Sequence, residues 1–267
     1  MAYQNIIFEK DRRVAVLTVN RPEKRNALNL ATRREILETV TSIEKDLDVG
    51  VLVVTGAGDK AFISGSDLNE FGRMSPLECY DFVNTYGQRL YSRLEELDIP
   101  VIAMINGLCL GGGCEVALAC DIRIASDNAK FGQPEILLGV IPGGGATQRL
   151  PRLVGQGAAR EIIFTGDIID ATEAWRIGLV NRVVPAGALK KVTLEMAQTI
   201  AARGSLSLRM AKRALRMSQE IGVTAGLAFE ALAETAAFCS ADRKEGVDAF
   251  FEKRQPAFHD KEKGNQG

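Results

Sequence analysis

Residues 99–120 constrain the fold more than any other part of the sequence, because Glu115 is the only charged residue among them. The run approaches the ~20 apolar residues that a membrane-spanning helix requires. Pro100, Asn106 and several glycines interrupt it, however, and such breaks are unfavourable in a helix exposed to lipid. The pattern instead predicts a buried strand, a glycine-rich turn and a buried helix, so no membrane partner is expected.

Length and charge indicate an ordinary globular protein. The chain has 267 residues, of which 46% are hydrophobic and 25% charged, and 33 Lys and Arg face 34 Asp and Glu. This length predicts one large domain with an appended element. The formal net charge of -1 leaves no basic excess for a nucleic-acid partner. Charged residues near the N terminus leave no stretch for a signal peptide, so we expect a cytoplasmic protein.

The histidine and cysteine content excludes two large classes of enzyme. His259 is the single histidine and lies in a polar tail, so neither a Ser-His-Asp triad nor a histidine-rich metal site is expected. The five cysteines are an odd number, form no CxxC pair and lie mostly among apolar neighbours. Reduced thiols in the core of a cytoplasmic protein are the better interpretation.

Short apolar runs alternate with helical patterns up to about residue 185. Residues 6–9 and 14–20 predict a hairpin, and residues 30–47 predict a helix with Thr32 available as its cap. Further patterns predict strands at residues 51–54, 101–105 and 121–126 and a helix at residues 77–97. This alternation predicts an α/β fold with layered sheets.

The character of the sequence changes beyond Pro185. Residues 189–203, 207–221 and 226–240 have helical patterns with no strand among them. They predict a separate helical element, and its many apolar positions indicate packing on the core or on another subunit.

Two glycine-rich patterns resemble nucleotide-binding loops only in outline. Gly56 and Gly58 follow a predicted strand, as in a dinucleotide-binding fingerprint. The next residues are apolar and are interrupted by Gly65 where a helix should begin, so a simple turn is the better interpretation. The glycines at 111–113 and 143–145 do not lead into the Gly-Lys-Ser/Thr of a phosphate loop.

A candidate site begins at the glycines of residues 111–113, which precede Glu115. Such a turn brings backbone N–H groups close to a ligand at the start of a helix, where they could stabilise an oxygen that gains negative charge. Glu115 would lie within reach of the same ligand. An alternative is that Glu115 only complements the helix dipole.

A second candidate acid is Glu135, which apolar residues surround in the sequence and which the glycines of residues 143–145 follow. Burial disfavours the charged form of a carboxyl group, so such an acid tends to stay protonated. Two carboxyl groups in different environments of one site provide one acid and one base. An alternative is that Glu135 caps a helix or lies in an interface.

A series of short motifs occurs in order along nearly the whole chain. They are Asn20-Arg21-Pro22 with Asn26-Ala27-Leu28-Asn29, Ala61-Phe62-x-Ser64-Gly65-x-Asp67-Leu68, Gly107-x-x-Leu110-Gly111-Gly112-Gly113-Cys114-Glu115, Ala119-Cys120-Asp121, Phe131-Gly132-Gln133-Pro134-Glu135, Pro142-Gly143-Gly144-Gly145-x-x-Gln148-Arg149-Leu150 and Phe250-x-Glu252-Lys253-Arg254. Together they resemble the crotonase superfamily, and specifically its enoyl-CoA hydratases. The resemblance implies a spiral of repeated strand-strand-helix units in residues 1–195. It also implies a helical trimerisation region in residues 196–267 and assembly as a homotrimer or a dimer of trimers.

The resemblance also implies a reaction and its catalytic residues. Enoyl-CoA hydratases add water to a 2-trans-enoyl-CoA, giving a 3-hydroxyacyl-CoA in fatty-acid and acyl-CoA metabolism, and use no separate cofactor because CoA is part of the substrate. The paired glutamates fall on Glu115 as the base and Glu135 as the acid. The two N–H groups of the oxyanion hole fall on Ser66 and Gly112, and the water site falls on Gly143.

The remaining implied residues contact CoA or the acyl group. Lys24 and Arg25 would meet the phosphates, while Phe250 and Lys253 match positions that reach CoA from a neighbouring subunit. Solvated surface charge is the alternative for Lys24, Arg25 and Lys253. Asn69 departs from the pattern, since some hydratases have Lys there. The other implied contacts are Ala27, Ala61, Ser64, Gly65, Asp67, Leu68, Gly111 and Pro134.

Two other functions stay open at this point. A 3-enoyl-CoA isomerase, or another reaction of CoA thioesters, would use the same acid beside an oxyanion hole without adding water. A non-catalytic protein that binds RNA or a protein partner would need neither glutamate, and the absence of basic excess disfavours the RNA partner.

Overall fold

A computed structural model describes residues 3–258 of the chain. His259, and with it the prediction about the single histidine, lies outside the described residues. Every strand belongs to one of two sheets, and the strands are β1 (Ile6–Asp11), β2 (Val14–Val19), β3 (Val51–Gly56), β4 (Ala61–Ile63), β5 (Val101–Ile105), β6 (Leu108–Leu110), β7 (Ile122–Ser126), β8 (Lys130–Gly132), β9 (Ile169–Asp170) and β10 (Arg182–Val184).

Helices cover both the core and the C-terminal region. They are α1 (Leu30–Ile43), α2 (Leu68–Phe71), α3 (Pro76–Phe82), α4 (Arg89–Glu96), α5 (Gly112–Leu118), α6 (Ala146–Val154), α7 (Gln156–Thr165), α8 (Ala171–Arg176), α9 (Leu189–Ala201), α10 (Ser205–Met217), α11 (Val223–Phe238) and α12 (Ala241–Phe251). A π-helical segment, Val83–Gln88, joins α3 to α4, and 3-10 turns occur at Pro22–Lys24, Pro134–Leu138 and Ala186–Ala188.

From β3 to β8, successive strands alternate between the two sheets. The larger sheet has the order β1-β2-β3-β5-β7-β10, and the smaller has the order β4-β6-β8-β9. The pairs β3 and β4, β5 and β6, and β7 and β8 therefore each place their first strand in the larger sheet and their second in the smaller. Most neighbours are parallel, and within residues 3–258 only the β1–β2 hairpin and the β8–β9 pair are antiparallel. The predicted α/β fold with layered sheets is confirmed.

The core lies between the sheets and the helices that cover them. Apolar residues of β2, β3 and β5 point alternately into two buried clusters, of which the larger also contains side chains of α1, α4 and α5. Residues 101–120 form β5, β6 and α5, so the predicted order of strand, glycine turn and helix is confirmed. No helix within residues 3–258 is long and apolar enough to cross a membrane.

The sequence-based bounds needed correction at several helices. Asn29, not Thr32, caps α1, because its side chain accepts a hydrogen bond from the N–H of Thr32. The predicted helix of residues 77–97 contains a π-helical segment, and α12 adds a fourth helix to the three predicted beyond Pro185.

The helix α9 belongs in part to the core. Leu189, Ala197 and Ala201 join the smaller buried cluster against the larger sheet. The helical element was predicted to be separate and to pack on the core or on another subunit, and its first helix does pack on the core, because these apolar residues cover β3 and β5. Residue 195 lies inside this helix, and the division at residues 195 and 196 stays a prediction.

Candidate active site

The glycine turn between β6 and α5 forms one wall of the candidate site. Gly111 has φ 49°, a conformation that favours glycine, and its N–H donates to the carbonyl of Gly132. A Cβ on Gly113 would lie 2.0 Å from the carbonyl oxygen of Ile63, so only glycine lets α5 approach β4 this closely. The first hydrogen bond of the helix runs from the N–H of Glu115 to the carbonyl of Gly111. The N–H of Gly112 precedes it and therefore takes no part in the hydrogen bonds of the helix.

The loop that follows β4 forms the adjacent wall. Gly65 has φ 121°, and its carbonyl accepts a hydrogen bond from the N–H of Leu28, which also pairs with Ser66 in an isolated parallel bridge. A Cβ on Gly112 would lie 3.4 Å from Oγ of Ser66. Ser66 and Gly112, the two predicted oxyanion residues, are therefore neighbours across the site.

Glu115 is buried inside this site, with 4% of its surface exposed. Its Oε1 accepts hydrogen bonds from the N–H groups of Gly144 at 2.7 Å and Ala146 at 3.2 Å, so the carboxylate binds the second glycine turn and not the start of its own helix. Burial raises the pKa of Glu115, while these two N–H groups and the charges of Arg33 and Arg149 act in the opposite direction. The alternative that Glu115 only complements a helix dipole does not account for these contacts.

Glu135 lies on the 3-10 turn Pro134–Leu138 and is half-buried. A Cβ on Gly111 would lie 2.9 Å from its Oε1, so the carboxyl group of Glu135 lies over the glycine turn. Burial raises the pKa of Glu135 to about 7; a hydrogen bond from its own backbone opposes this rise, and the charge of Glu115 adds to it. This is the direction expected for an acid that stays protonated.

Both glutamates line one cavity of about 1030 Å³. Ten of the predicted site residues line it: Ser64, Gly65, Ser66, Leu68, Gly111, Gly112, Glu115, Pro134, Glu135 and Gly143. Its remaining wall comes largely from two stretches: α3, the π-helical segment and α4, including Phe82 and Tyr91, and residues 138–152, including Arg149.

Seven other predicted contact residues do not line this cavity. Lys24 and Arg25 are exposed on the loop beside it, and this loop is held to the β4 loop because the N–H of Ser64 donates to the carbonyl of Arg25. Ala27 lies on the first of these loops, Ala61 begins β4, and Asp67 forms an ion pair with Arg21 at 3.2 Å. Phe250 and Lys253 lie at the end of α12, where Phe250 lines a different cavity.

The sequence interpretation missed three residues of the site: Arg33, Tyr91 and Arg149. Arg33 is 2% exposed and lies on the same face of α1 as the buried Ile36 and Val40. A charged residue in register with an apolar helix face was the signal that could have revealed it. Arg149 lies in one of the motifs quoted for the resemblance, but no role was assigned to it. Tyr91 has no comparable signal.

Other kinds of site find less support in residues 3–258. This part of the chain contains no cluster of three or more His, Cys, Asp or Glu that could hold a metal ion. The five cysteines are free thiols, of which Cys109, Cys114 and Cys120 are buried. Gly56 ends β3, Gly58 lies in the turn that follows, and the next element is strand β4 and not a helix, so the interpretation of a simple turn is confirmed.

Comparisons with known proteins agree along almost the whole chain. Residues 9–261 match the model of the enoyl-CoA hydratase/isomerase family. The chain is 46% identical over 258 residues to a crotonyl-CoA hydratase of Syntrophomonas wolfei subsp. wolfei, with 97% of this chain and 99% of that protein covered. It is 45% identical over 255 residues to a short-chain-enoyl-CoA hydratase of Clostridium acetobutylicum, with 96% and 97% covered. A crystal structure of an enoyl-CoA hydratase from Bacillus anthracis superposes with a TM-score of 0.93 at 41% identity, covering 96% of this chain and 99% of that one.

Proposed function

The chain belongs to the enoyl-CoA hydratase/isomerase family, and on that premise we propose that it is an enoyl-CoA hydratase. The observation that carries the proposal is the pair Glu115 and Glu135 in one cavity but in unlike surroundings: two N–H groups of the second glycine turn and two arginines favour the charged form of Glu115, whereas burial and the charge of Glu115 raise the pKa of Glu135 to about 7. Two carboxyl groups in such unlike surroundings can serve as one base and one acid.

The proposed reaction adds water across the double bond of a 2-trans-enoyl-CoA. The thioester oxygen accepts hydrogen bonds from the N–H groups of Ser66 and Gly112, which stabilise the negative charge that develops on it. Glu115 takes a proton from water while the water oxygen bonds to the β-carbon, next to Gly143. The electron pair of the double bond moves toward the thioester, and Glu135 delivers a proton to the α-carbon.

General principles set the size of these contributions. A well-placed proton donor or acceptor contributes ~10²–10⁴-fold to a rate. Loss of one oxyanion donor costs about 2.7–4 kcal/mol of transition-state stabilisation. The proposed reaction needs no separate cofactor, since CoA enters as part of the substrate.

The proposed CoA site uses the two loops that hydrogen-bond to each other beside the cavity. Lys24 and Arg25 are exposed on one loop, where phosphates could reach them, and the β4 loop would contact the adenine and pantetheine. Phe250 and Lys253 would complete the site from a neighbouring subunit of a homotrimer or a dimer of trimers. We place the enzyme in the cytoplasm, in fatty-acid and acyl-CoA metabolism.

Turnover of crotonyl-CoA, followed through the absorbance of the conjugated thioester, tests the proposal. Crotonyl-CoA is the first choice because the relatives above include a crotonyl-CoA hydratase and a short-chain-enoyl-CoA hydratase. Each of Glu115→Gln and Glu135→Gln should lower kcat by ~10² or more and change CoA binding little. Glu38→Gln, at an exposed position of α1, is the matched control and should turn over like the parent protein.

Two results would contradict the assignment. Normal hydration by either active-site variant would remove that glutamate from the reaction. Isomerisation of a 3-enoyl-CoA by the parent protein, without addition of water to crotonyl-CoA, would establish an isomerase instead.

A further inference from the structure

Arg33 is a charged residue on the buried face of α1, with 2% of its surface exposed. Arginine is almost never buried to this extent unless it is paired. Its guanidinium reaches the cavity that holds Glu115 and Glu135. Packing alone does not explain an arginine at a position where an apolar side chain would fill the space at lower cost.

Neutral groups hold the Arg33 guanidinium on several sides. Nη1 donates to the hydroxyl of Tyr91 at 2.8 Å and to the carbonyl of Tyr86 at 2.9 Å, and Nη2 donates to Oγ of Ser66 at 2.8 Å. The rings of Phe82 and Tyr91 lie with their centroids 5.0 Å and 5.7 Å from Cζ. The guanidinium is therefore held in one position, and its hydrogen bond to Oγ of Ser66 holds the side chain of that serine in place.

The charge of Arg33 has no ion-pair partner among residues 3–258, whereas Arg149 pairs with Glu95 at 2.7 Å. Its Nε is buried and has no hydrogen-bond acceptor in the same part of the chain. Burying a charge without an opposite charge is costly. The cost of burying this charge would be offset if the fixed positive charge stabilised a negative charge that the reaction needs.

The position of Arg33 shows where its charge acts. A Cβ on Gly112 would lie 3.4 Å from Nη2 of Arg33, 3.4 Å from Oγ of Ser66 and 3.1 Å from the hydroxyl of Tyr91. The guanidinium thus lies directly beside the turn that ends in Glu115. Burial raises the pKa of Glu115, and the charge of Arg33 counteracts that rise.

We propose that Arg33 is a positioning residue for hydration: it supplies the buried positive charge for the Glu115 carboxylate and holds Ser66 beside the oxyanion hole. The inference rests on the proposed function, because it assigns Glu115 the part of proton acceptor. It extends that function by naming a group that acts through Glu115 and touches no reacting atom.

Four groups face Glu115 from the elements packed against it. Arg33 on α1 and Arg149 on α6 favour its ionised form, while Glu135 on the 3-10 turn would oppose it only after losing its own proton. Tyr91 on α4 has a pKa raised by burial, so its phenol stays neutral at working pH. Arg149 also faces Glu95, so Arg33 is the cation whose removal should affect Glu115 most.

The pH dependence of kcat/KM on crotonyl-CoA tests the inference. Glu115 accepts a proton only when ionised, so a neutral residue at position 33 should raise its pKa and move the acid limb of the profile to higher pH. We expect Arg33→Met to move this limb to higher pH by about one unit or more. At a pH on the acid side of the limb, kcat/KM should then be about tenfold lower than in the parent protein. Arg33→Lys keeps the charge and should leave the limb near its position in the parent protein.

The matched control is Arg34→Met, which removes a neighbouring arginine on the exposed side of α1. Its profile should coincide with that of the parent protein. Arg33→Gln is a second neutral variant, and it keeps hydrogen-bond donors. It separates loss of charge from loss of hydrogen bonds, and it also replaces Arg33→Met in the test if that variant folds poorly.

A second measurement does not depend on turnover. The carboxyl ¹³C shift of Glu115, identified by its loss in Glu115→Gln, titrates in the ligand-free protein and should titrate at higher pH in Arg33→Met and Arg33→Gln.

Equal titration midpoints in the parent and both neutral variants would overturn the inference. An acid limb that moves as far in Arg33→Lys as in Arg33→Met would also overturn it. A parent protein that hydrates no enoyl-CoA would contradict the proposed function, while the titration would still decide whether Arg33 acts on Glu115.

Discussion

At the scale of single residues, Glu115 and Glu135 differ in what surrounds their carboxyl groups. The carboxylate of Glu115 accepts hydrogen bonds from two backbone N–H groups and lies near two arginines. For Glu135, burial and the charge of Glu115 raise the pKa. The glycine motifs and apolar surroundings made both acids candidates, and the resemblance supplied their roles. They did not predict Arg33, because a helical pattern indicates which face is buried but not that a charge on that face reaches another segment.

The pKa of about 7 at Glu135 leads to a prediction about the alkaline limb of the pH profile. Glu135 donates its proton in the hydration direction, so its protonated form is the active one. We expect kcat/KM for crotonyl-CoA to fall as the pH rises through about 7, by roughly tenfold for each further unit. Steady-state kinetics across this range measures the limb, and a rate that stays constant well above neutral pH would exclude Glu135 as the donor.

At the scale of elements, local patterns predicted most strands and helices but not their irregularities. Residues 77–97 contain the π-helical segment Val83–Gln88, which lines the cavity, and Pro134–Leu138 forms a 3-10 turn too short to give a period. The two segments beside the cavity, residues 21–27 and β4 with the loop after it, are held together by long-range contacts. Asn26 is fully buried with φ 58°, and its side chain donates to the carbonyls of Ala57 and Ala61.

Removal of the Asn26 side chain should therefore loosen the proposed CoA site. Its Oδ1 also accepts from the N–H of Arg21, so Asn26→Ala leaves three backbone groups without this partner. We expect a loss of about 1–3 kcal/mol in the free energy of unfolding and a several-fold higher KM, with a smaller change in kcat. Urea unfolding and steady-state kinetics test this against Asn84→Ala, at an exposed position. An unchanged KM would show that the two loops do not bind CoA.

At the scale of the whole molecule, the alternation of strand pairs between two sheets was not visible in the residues themselves. The sequence patterns predicted strands and an α/β fold, but they carry no information about which strand pairs with which, and the resemblance supplied the spiral. The C-terminal helices leave large apolar side chains on the surface, including Leu227, Leu232, Phe250 and Phe251. Exposed apolar residues in such number favour subunit contacts.

The assembly prediction follows from that surface. We expect analytical ultracentrifugation to give the mass of three or six chains. Because Phe250 is expected to contact CoA bound to a neighbour, Phe250→Ala should raise KM several-fold while kcat changes less. Leu47→Ala, at another exposed apolar position, serves as the control and should leave both constants unchanged. A monomer with full activity would contradict the shared site.

The spiral also has a consequence for synthesis on the ribosome. Glu115 lies in α5, but the N–H groups that bind its carboxylate belong to Gly144 and Ala146, beyond the next strand pair. A nascent chain that has emerged only as far as α5 thus carries a carboxylate without its donors and an unclosed pocket. Substrate can stabilise the fold only after the segment that precedes α6 has docked, so the acyl-CoA ligand cannot assist the earliest stages of folding.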